Sequence, residues 1–313
     1  MSDEVQQPAD EKSRFATLMV QLAVIPLVVV LFCVAVAGLF MWLTSERKGL
    51  DDYLNALRAN SGEQRSQQAQ YLLNYIQNAK RWQGIFDVTA QISADRGQFL
   101  AKNPHAVTEI VQVFEESKGQ DPKTRRYLAL VLGLLGGPEA VDALREGLDD
   151  GDPETVKNCL WALGRNGDEH SVPRVIELTR SDESSVRLMA VYVLGSLNSP
   201  QAHGVLVASL NDPNELVKWN AAFGLAKSSD PAAWDVLVRL LDKEYVDRVT
   251  QSMQQEDRPL AGNISRYRAA AVAWLVKLDP AKARPLLEKM SSSEPDLQVR
   301  NAAIQQLNNL KRK

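Results

Sequence analysis

The sequence predicts an all-α protein in which a single membrane-spanning helix precedes an α-solenoid of stacked helix pairs. Three observations support this fold class. Residues 18–43 form a long apolar run without a charged side chain. A pattern of small and apolar residues recurs every 31 residues in the C-terminal part of the chain. Each recurring unit contains two segments with helical spacing of apolar residues, which leaves no room for strands.

The apolar run predicts a transmembrane helix. Its sequence, LMVQLAVIPLVVVLFCVAVAGLFMWL, covers 26 residues, more than the ~20 that a helix needs to cross the hydrocarbon core. A polar tail, residues 1–17, precedes it. The segment Ala35-Val36-Ala37 has the form of a signal-peptidase site, but the run continues past it and is too long for a signal peptide. We therefore expect a retained anchor that contacts the lipid bilayer through residues 18–43.

The side of the membrane on which the C-terminal part lies is poorly determined by the flanking charges. Lys12 and Arg14 precede the run, while Arg47, Lys48 and Arg58 follow it, so the two flanks are nearly balanced. A short tail before a long anchor and a large C-terminal domain is typical of a signal anchor. The sequence thus favours a single-pass protein of the cell (inner) membrane with its main domain outside the cytoplasm.

The repeat defines the rest of the chain. A small residue recurs at intervals of 31: Gly133, Gly164, Gly195 and Ala226. Units begin with an Asp suited to an N-cap and often a Pro suited to the first helical turn, as in Asp121-Pro122. We divide the chain into the tail, the transmembrane helix, a membrane-proximal helical region with a degenerate repeat (44–120), and a solenoid (121–313) with an insertion near residues 243–265.

The unit resembles a known repeat family. The pattern D-P-x-x-V-R-x-x-A-A-x-x-L-G-x-L, whose V-R-x-x-A and L-G-x-L parts occur in VRLMAVYVLGSLNSP at residues 186–200, is similar to the HEAT repeat. It is similar in particular to the short HEAT-like repeats first recognised in bilin lyases, here in a membrane-anchored protein of bacterial type. Because HEAT repeats are not tied to one activity, the resemblance implies the solenoid fold and leaves the function open.

Sequence motifs for catalysis are absent. The three histidines are not placed at metal-ligand spacing, and neither a phosphate-binding loop nor a G-x-S-x-G elbow occurs. Cys159 lies inside a repeat helix, where a buried structural thiol is the usual role. The net charge of −3 argues against a nucleic-acid partner. We expect no catalytic residues, no metal and no cofactor, and therefore not an enzyme.

These observations predict a membrane-anchored scaffold for protein–protein interaction, an accessory or assembly subunit of a membrane complex with membrane-associated protein partners. The alternative is a bilin-lyase-like or other ligand-binding HEAT-repeat enzyme or sensor. The recurrent Arg and Lys residues are expected to pair with recurrent Asp residues of neighbouring units.

Candidate partner-binding residues come from two sources. Large aromatic side chains are enriched in binding hot spots, although they also fill cores, and insertions in solenoids often lie on the binding face, although they can be inert loops. The candidates are Trp161, Trp219, Tyr245, Arg248, Met253 and Arg258.

Overall fold

The structure, a computed structural model, describes residues 83–252 and 263–312. Within these ranges every regular element is helical and no strand occurs, so the all-α prediction is confirmed there. The predicted tail and transmembrane helix (1–17 and 18–43) lie outside the described residues. None of the helices in the described part of the chain is both long and apolar enough to cross a membrane.

The helices alternate between two sets. In chain order they are α1 (83–94), α2 (Arg96–Lys102), α3 (Ala106–Glu116), α4 (Pro122–Leu135), α5 (Pro138–Glu146), α6 (Pro153–Asn166), α7 (Val172–Leu178), α8 (Ser184–Leu197), α9 (His203–Ser209), α10 (Glu215–Lys227), α11 (Trp234–Leu241), α12 (Lys243–Ser252), α13 (Ile264–Leu278), α14 (Pro280–Ser293) and α15 (Leu297–Lys311). We use "first helices" for α4, α6, α8, α10, α13 and α15. The "second helices" are α3, α5, α7, α9, α11 and α14.

The predicted Asp-Pro starts are confirmed at α4 and α6. The Asp121 carboxylate accepts a hydrogen bond from the Thr124 amide at 3.0 Å, and Asp152 accepts one from Thr155 at 2.9 Å. Each bond satisfies one of the free amides of a helix N-terminus. The start of α10 differs from the prediction, because Asn214 is the N-cap and Asp212 instead accepts a bond from the Asn214 amide.

Consecutive first helices pack against one another and form a continuous core. The small residues of the 31-residue pattern lie where these helices come closest. A Cβ atom added at Gly133 would lie 2.5 Å from the Cβ of Ala162, and one added at Gly195 would lie 2.7 Å from the Cα of Gly224. Gly195 therefore lies at a close approach of α8 and α10.

Charged pairs link successive units, as predicted, at three arginines. Each pairs with a carboxylate 25 or 26 residues further along the chain: Arg125 with Asp150, Arg187 with Asp212, and Arg268 with Glu294. The arginine side chain can reach both a carboxylate and a backbone carbonyl. Arg187, for example, also donates to the carbonyl of Ser181 at 2.8 Å. These pairs fix the turn that precedes the next first helix.

The same prediction is wrong at two lysines. Lys157 pairs with Glu154 at 2.6 Å and Lys218 pairs with Glu215 at 2.9 Å, each within its own helix. The cause is local, since a Glu three residues earlier lies on the same helix face and is nearer than any carboxylate of the next unit. The ladder between units therefore uses arginine in the described units.

A second link between units makes stability depend on pH. Arg126 donates to Asp152 at 2.7 Å, and this bond lowers the pKa of Asp152 to about 2, with burial acting in the opposite direction and Thr155 adding to the decrease. A depressed carboxyl pKa stabilises the fold above its unfolded value near 3.8 and loses that stabilisation as the pH falls towards 2.

We expect Asp152→Asn to lower the free energy of unfolding by about 1–2 kcal/mol at pH 7. The difference from the wild type should shrink progressively as the pH falls from about 4 to about 2, because protonated Asp152 no longer attracts Arg126. Urea unfolding across this pH range measures the difference. The control is Asp235→Asn, which changes an exposed aspartate of α11. A difference that did not depend on pH would contradict the assignment.

Candidate functional site

The candidate site is a groove of about 540 Å³ that residues of α8, α10 and α13 line together. This volume lies within the ~300–1,000 Å³ typical of ligand sites. Helix α10 presents Asn220, Phe223, Gly224 and Lys227, which share one face because they recur at helical spacing. We call this cavity the aromatic groove.

Two glycines form part of its lining. Gly195 of α8 and Gly224 of α10 bring the two helix backbones together so closely that a Cβ at either position would lie less than 3 Å from the other backbone. Because neither glycine has a side chain, the space above them stays open. The repeat position that packs the solenoid therefore also shapes the groove.

Four aromatic side chains line the groove: Tyr192, Phe223, Tyr267 and Trp274. The rings of Phe223 and Tyr267 stack with their centroids 6.0 Å apart and an interplanar angle of 29°. The ring of Trp219 also contacts Tyr267, with a centroid distance of 5.9 Å. Burial raises the pKa of Tyr267, and a hydrogen bond with Asn220 opposes the rise. Tyr192 remains 51% exposed at the edge. An exposed tyrosine beside packed rings is a typical interface anchor.

The charged residues that line the groove are Lys227 and Arg266, and both are exposed. Within the described ranges neither has a carboxylate partner in a salt bridge. Lys277 lies close by, since its ammonium donates to the Lys227 carbonyl at 2.9 Å and is 4.8 Å from the ring of Trp274. The groove is thus aromatic and positively charged.

Two other grooves of similar size are mixed in charge. The groove along α4 is lined by Asp121 and Glu154 as well as Arg126 and a lysine. The groove between α11, α12 and α14 is also lined by both carboxylates and lysines. The aromatic groove differs from these two because no carboxylate lines it among residues 83–252 and 263–312.

The pattern extends beyond the groove along the first helices. Trp161, Tyr192 and Phe223 occupy the same repeat position at intervals of 31, and a basic residue follows four residues later in two of the three units, Arg165 and Lys227. The guanidinium of Arg165 lies 5.7 Å from the ring of Trp161. We call the groove together with Trp161 and Arg165 the first-helix face.

The predicted partner-binding residues are distributed between surface and core. Trp161 is half-buried on the first-helix face, and Arg248 is exposed on α12. Met253 and Arg258 lie outside the described residues. A partner-binding role for these four stays a prediction.

Trp219 and Tyr245 are core residues, with 0% and 5% of their surface exposed. Burial raises the pKa of Tyr245 to about 12; its hydrogen bond to Glu215 adds to the rise, and the nearby Trp219 indole opposes it. Because neither side chain reaches the surface, the structure gives both a packing role. Tyr245 belongs to helix α12, and its burial packs this helix against the core. The first part of the insertion is therefore a packed helix.

The residues that sequence analysis did not select are Tyr192, Phe223, Tyr267, Trp274, Lys227 and Arg266. The 31-residue interval from Trp161 through Tyr192 to Phe223 is a signal that could have identified two of them. Tyr267 and Trp274 follow the insertion, where the interval changes, so that signal does not extend to them.

The side chains that line the groove can stack on, hydrogen-bond to and ion-pair with a ligand. Its described lining consists of aromatic, amide, basic and small residues, and it includes no histidine, cysteine or carboxylate. No group of three or more His, Cys, Asp or Glu residues suited to a metal ion occurs in residues 83–252 and 263–312. Cys159 is buried elsewhere in the core, and burial raises the pKa of its thiol to about 12, so it stays protonated.

The stacked helix pairs and the binding groove on their first helices define an α-solenoid repeat protein. The HEAT-repeat family matches residues 110–187 and 172–256. Residues 110–256 thus belong to the HEAT-repeat family, as the sequence pattern predicted.

Similar proteins have varied functions. A HEAT repeat-containing taxis protein of Halobacterium salinarum is 31% identical over 144 residues, which is 43% of this chain and 33% of that protein. Human deoxyhypusine hydroxylase is 25% identical over 164 residues, 48% of this chain and 53% of the relative. The chain thus spans from a third to about half of the length of the curated relatives it matches.

Solved structures with a similar arrangement include a designed armadillo repeat protein in complex with the peptide (KR)4, at 15% identity and a TM-score of 0.43 over 83% of this chain and 99% of that one. Human deoxyhypusine hydroxylase in complex with glycerol gives a TM-score of 0.36 at 15% identity, over 84% of this chain and 96% of that one.

Proposed function

We propose that the protein is a membrane-anchored scaffold whose HEAT solenoid binds a protein partner through the aromatic groove, as an accessory or assembly subunit of a membrane complex. The observation that carries this proposal is the groove itself, which combines the exposed Tyr192 and partly buried aromatic rings with basic side chains that have no carboxylate partner among the described residues. Aromatic residues and arginine are enriched at the centres of protein interfaces.

The membrane part of the proposal rests on the apolar run at residues 18–43, which is long enough to span a bilayer. A single-pass anchor would confine the solenoid to the membrane surface and raise the effective concentration of membrane-bound partners. Protease protection in sealed vesicles would show whether the solenoid lies outside the cytoplasm, as the sequence favours.

Affinity purification from native membranes after chemical crosslinking tests the scaffold function. We expect the full chain to sediment with carbonate-washed membranes and to carry at least one crosslinked membrane-associated protein, identified by mass spectrometry. A variant lacking residues 18–43 should move to the supernatant and lose most of those crosslinks. A full chain that is released by carbonate and crosslinks to no protein would contradict the proposal.

An enzymatic function is the second candidate, because three deoxyhypusine hydroxylases are among the similar proteins. The purified full chain can be incubated with a deoxyhypusine-containing protein, and mass spectrometry would reveal the gain of one oxygen atom. The bilin-lyase-like alternative is tested in the same way by covalent or tight binding of a bilin. A positive result in either assay would favour an enzyme over the scaffold.

A further inference from the structure

We propose that the first-helix face binds an extended, acidic segment of the partner protein, with about three partner residues for each first helix that it crosses. This inference rests on the proposed scaffold function and specifies the chemistry of its partner.

The charge of the face indicates an acidic partner. The chain as a whole carries a net charge of −3, yet the two charged residues in the described lining of the groove are both basic. The neighbouring Lys277 adds a third cation, and Arg165 adds a fourth one on the same face. Opposite charges across an interface guide association and select against other partners. Carboxylates of a partner are therefore the expected counter-charges.

The lysines are held in position but can still bind an anion. Lys227 donates one hydrogen bond to the carbonyl of Ser196, and Lys277 donates one to the carbonyl of Lys227, at the ends of α8 and α10. An ammonium has three donors, so each lysine keeps two for a partner. Because the helix ends already restrain both side chains, binding an anion costs less conformational entropy than it would at a free lysine.

The repeat spacing predicts the register of the partner segment. Neighbouring packed helices lie about 8–10 Å apart, whereas an extended segment in the polyproline II conformation advances about 3.1 Å per residue and points every third side chain in the same direction. A segment that crosses the first helices therefore places a residue at each helix about every third position. Carboxylates three residues apart would reach Lys227 and Lys277, and an apolar side chain between them would contact Phe223 and Tyr267.

A nucleic acid is the other polymer that aromatic and basic side chains could bind, by base stacking and phosphate contacts. The acidic composition of the chain and the small number of cations on this face favour the peptide, since nucleic-acid affinity comes largely from many phosphate contacts. Oligouridine therefore serves as the competing probe in the test.

Fluorescence anisotropy with synthetic probes tests the inference on the full chain in mild detergent. The main probe is a fluorescein-labelled peptide of about twelve residues with Glu at every third position and Leu and Ser between, enough to cross the four helices α6, α8, α10 and α13 at about 3.1 Å per residue. We expect it to bind the wild type, with affinity that falls as salt rises. The double variant Lys227→Glu/Lys277→Glu should weaken binding at least about tenfold.

The matched control reverses two other exposed charges, Lys118→Glu and Arg284→Glu, which lie off the first-helix face. It makes the same change in net charge and should leave the Kd within about twofold, because exposed charges farther apart than the Debye length of ~8–10 Å are screened. Phe223→Ala is a second test variant and should also weaken binding.

Three results would overturn the inference: no saturable binding of the acidic peptide, equal loss in the control and the test variants, or tighter binding of oligouridine or of the peptide with Lys in place of Glu. Crosslinking in native membranes distinguishes failure of the acidic-segment inference from failure of the proposed scaffold function. If Lys227→Glu/Lys277→Glu still crosslinks the same partner as the wild type, the scaffold function stands and the acidic segment is wrong.

Discussion

Arg268→Met is expected to lower the free energy of unfolding by about 3–5 kcal/mol, among the largest effects of any single substitution in the solenoid. Arg268 and Glu294 are almost completely buried, with 3% and 7% of their side chains exposed, and they form a bidentate pair at 3.0 and 2.7 Å. Without the guanidinium, the Glu294 carboxylate would remain in the core as an unpaired charge. Urea unfolding followed by circular dichroism measures the loss.

Substitution of Arg268 should also affect the aromatic groove, because of where the Arg268–Glu294 pair lies. Arg268 also donates to the carbonyl of Leu241 at 2.8 Å, so it ties the end of α11 to α13 across the insertion. Helix α13 contributes Tyr267 to the groove, one residue before Arg268. Loss of the arginine should therefore disturb the groove as well as the core.

The double variant Arg268→Met/Glu294→Leu is the control for this prediction. It removes both charges together, and buried ion pairs replaced by apolar residues are often no less stable than before. We expect it to recover most of the stability lost in Arg268→Met. A double variant as unstable as the single one would show that packing of the arginine, rather than charge pairing, is what stabilises this turn.

Gly195→Ala is expected to destabilise the solenoid by about 1–3 kcal/mol, although alanine is the better helix former. The new Cβ would lie 2.7 Å from the Cα of Gly224, and backbone cannot yield as a flexible side chain can. Helices α8 and α10 would have to separate, which also changes the lining of the aromatic groove. Thermal or urea unfolding, together with anisotropy of the acidic peptide, measures both effects.

Gly204→Ala is the matched control, because a Cβ at Gly204 of α9 meets no atom within 4 Å. There the substitution should stabilise the protein by about 0.4–1 kcal/mol through the unfolded state. Gly195→Ala is thus expected to lower the free energy of unfolding and Gly204→Ala to raise it. If Gly195→Ala were also stabilising, α8 and α10 would not be in the close contact that the structure shows.

The repeat made most of the fold predictable. The 31-residue interval of Gly133 and its equivalents identifies the first helices because close backbone packing requires a small residue at the same place in each unit. Helix α12 was not predicted, since its sequence is polar and breaks the interval. Its helix is stabilised by tertiary contacts that no local pattern encodes, above all burial of Tyr245 and its hydrogen bond to Glu215.

The site was less predictable because it depends on contacts between three helices. Trp161 and Trp219 share a helix face in the repeat register, yet Trp161 stays partly exposed while Trp219 is covered by Tyr267 and Tyr245. Both covering residues come from the insertion or from the helix after it. Sequence periodicity indicates which face a residue occupies, but it does not indicate what covers that face.

Site-specific photocrosslinking in native membranes tests the central claim most directly. A photoreactive phenylalanine analogue at Tyr192, which is exposed at the edge of the groove, is compared with the same analogue at Arg284 on α14. The account predicts a crosslink from Tyr192 to an acidic segment of a membrane-associated protein, with loss of that crosslink in Lys227→Glu/Lys277→Glu. Crosslinks from Arg284 alone, or crosslinks from Tyr192 that the charge reversal leaves unchanged, would contradict it.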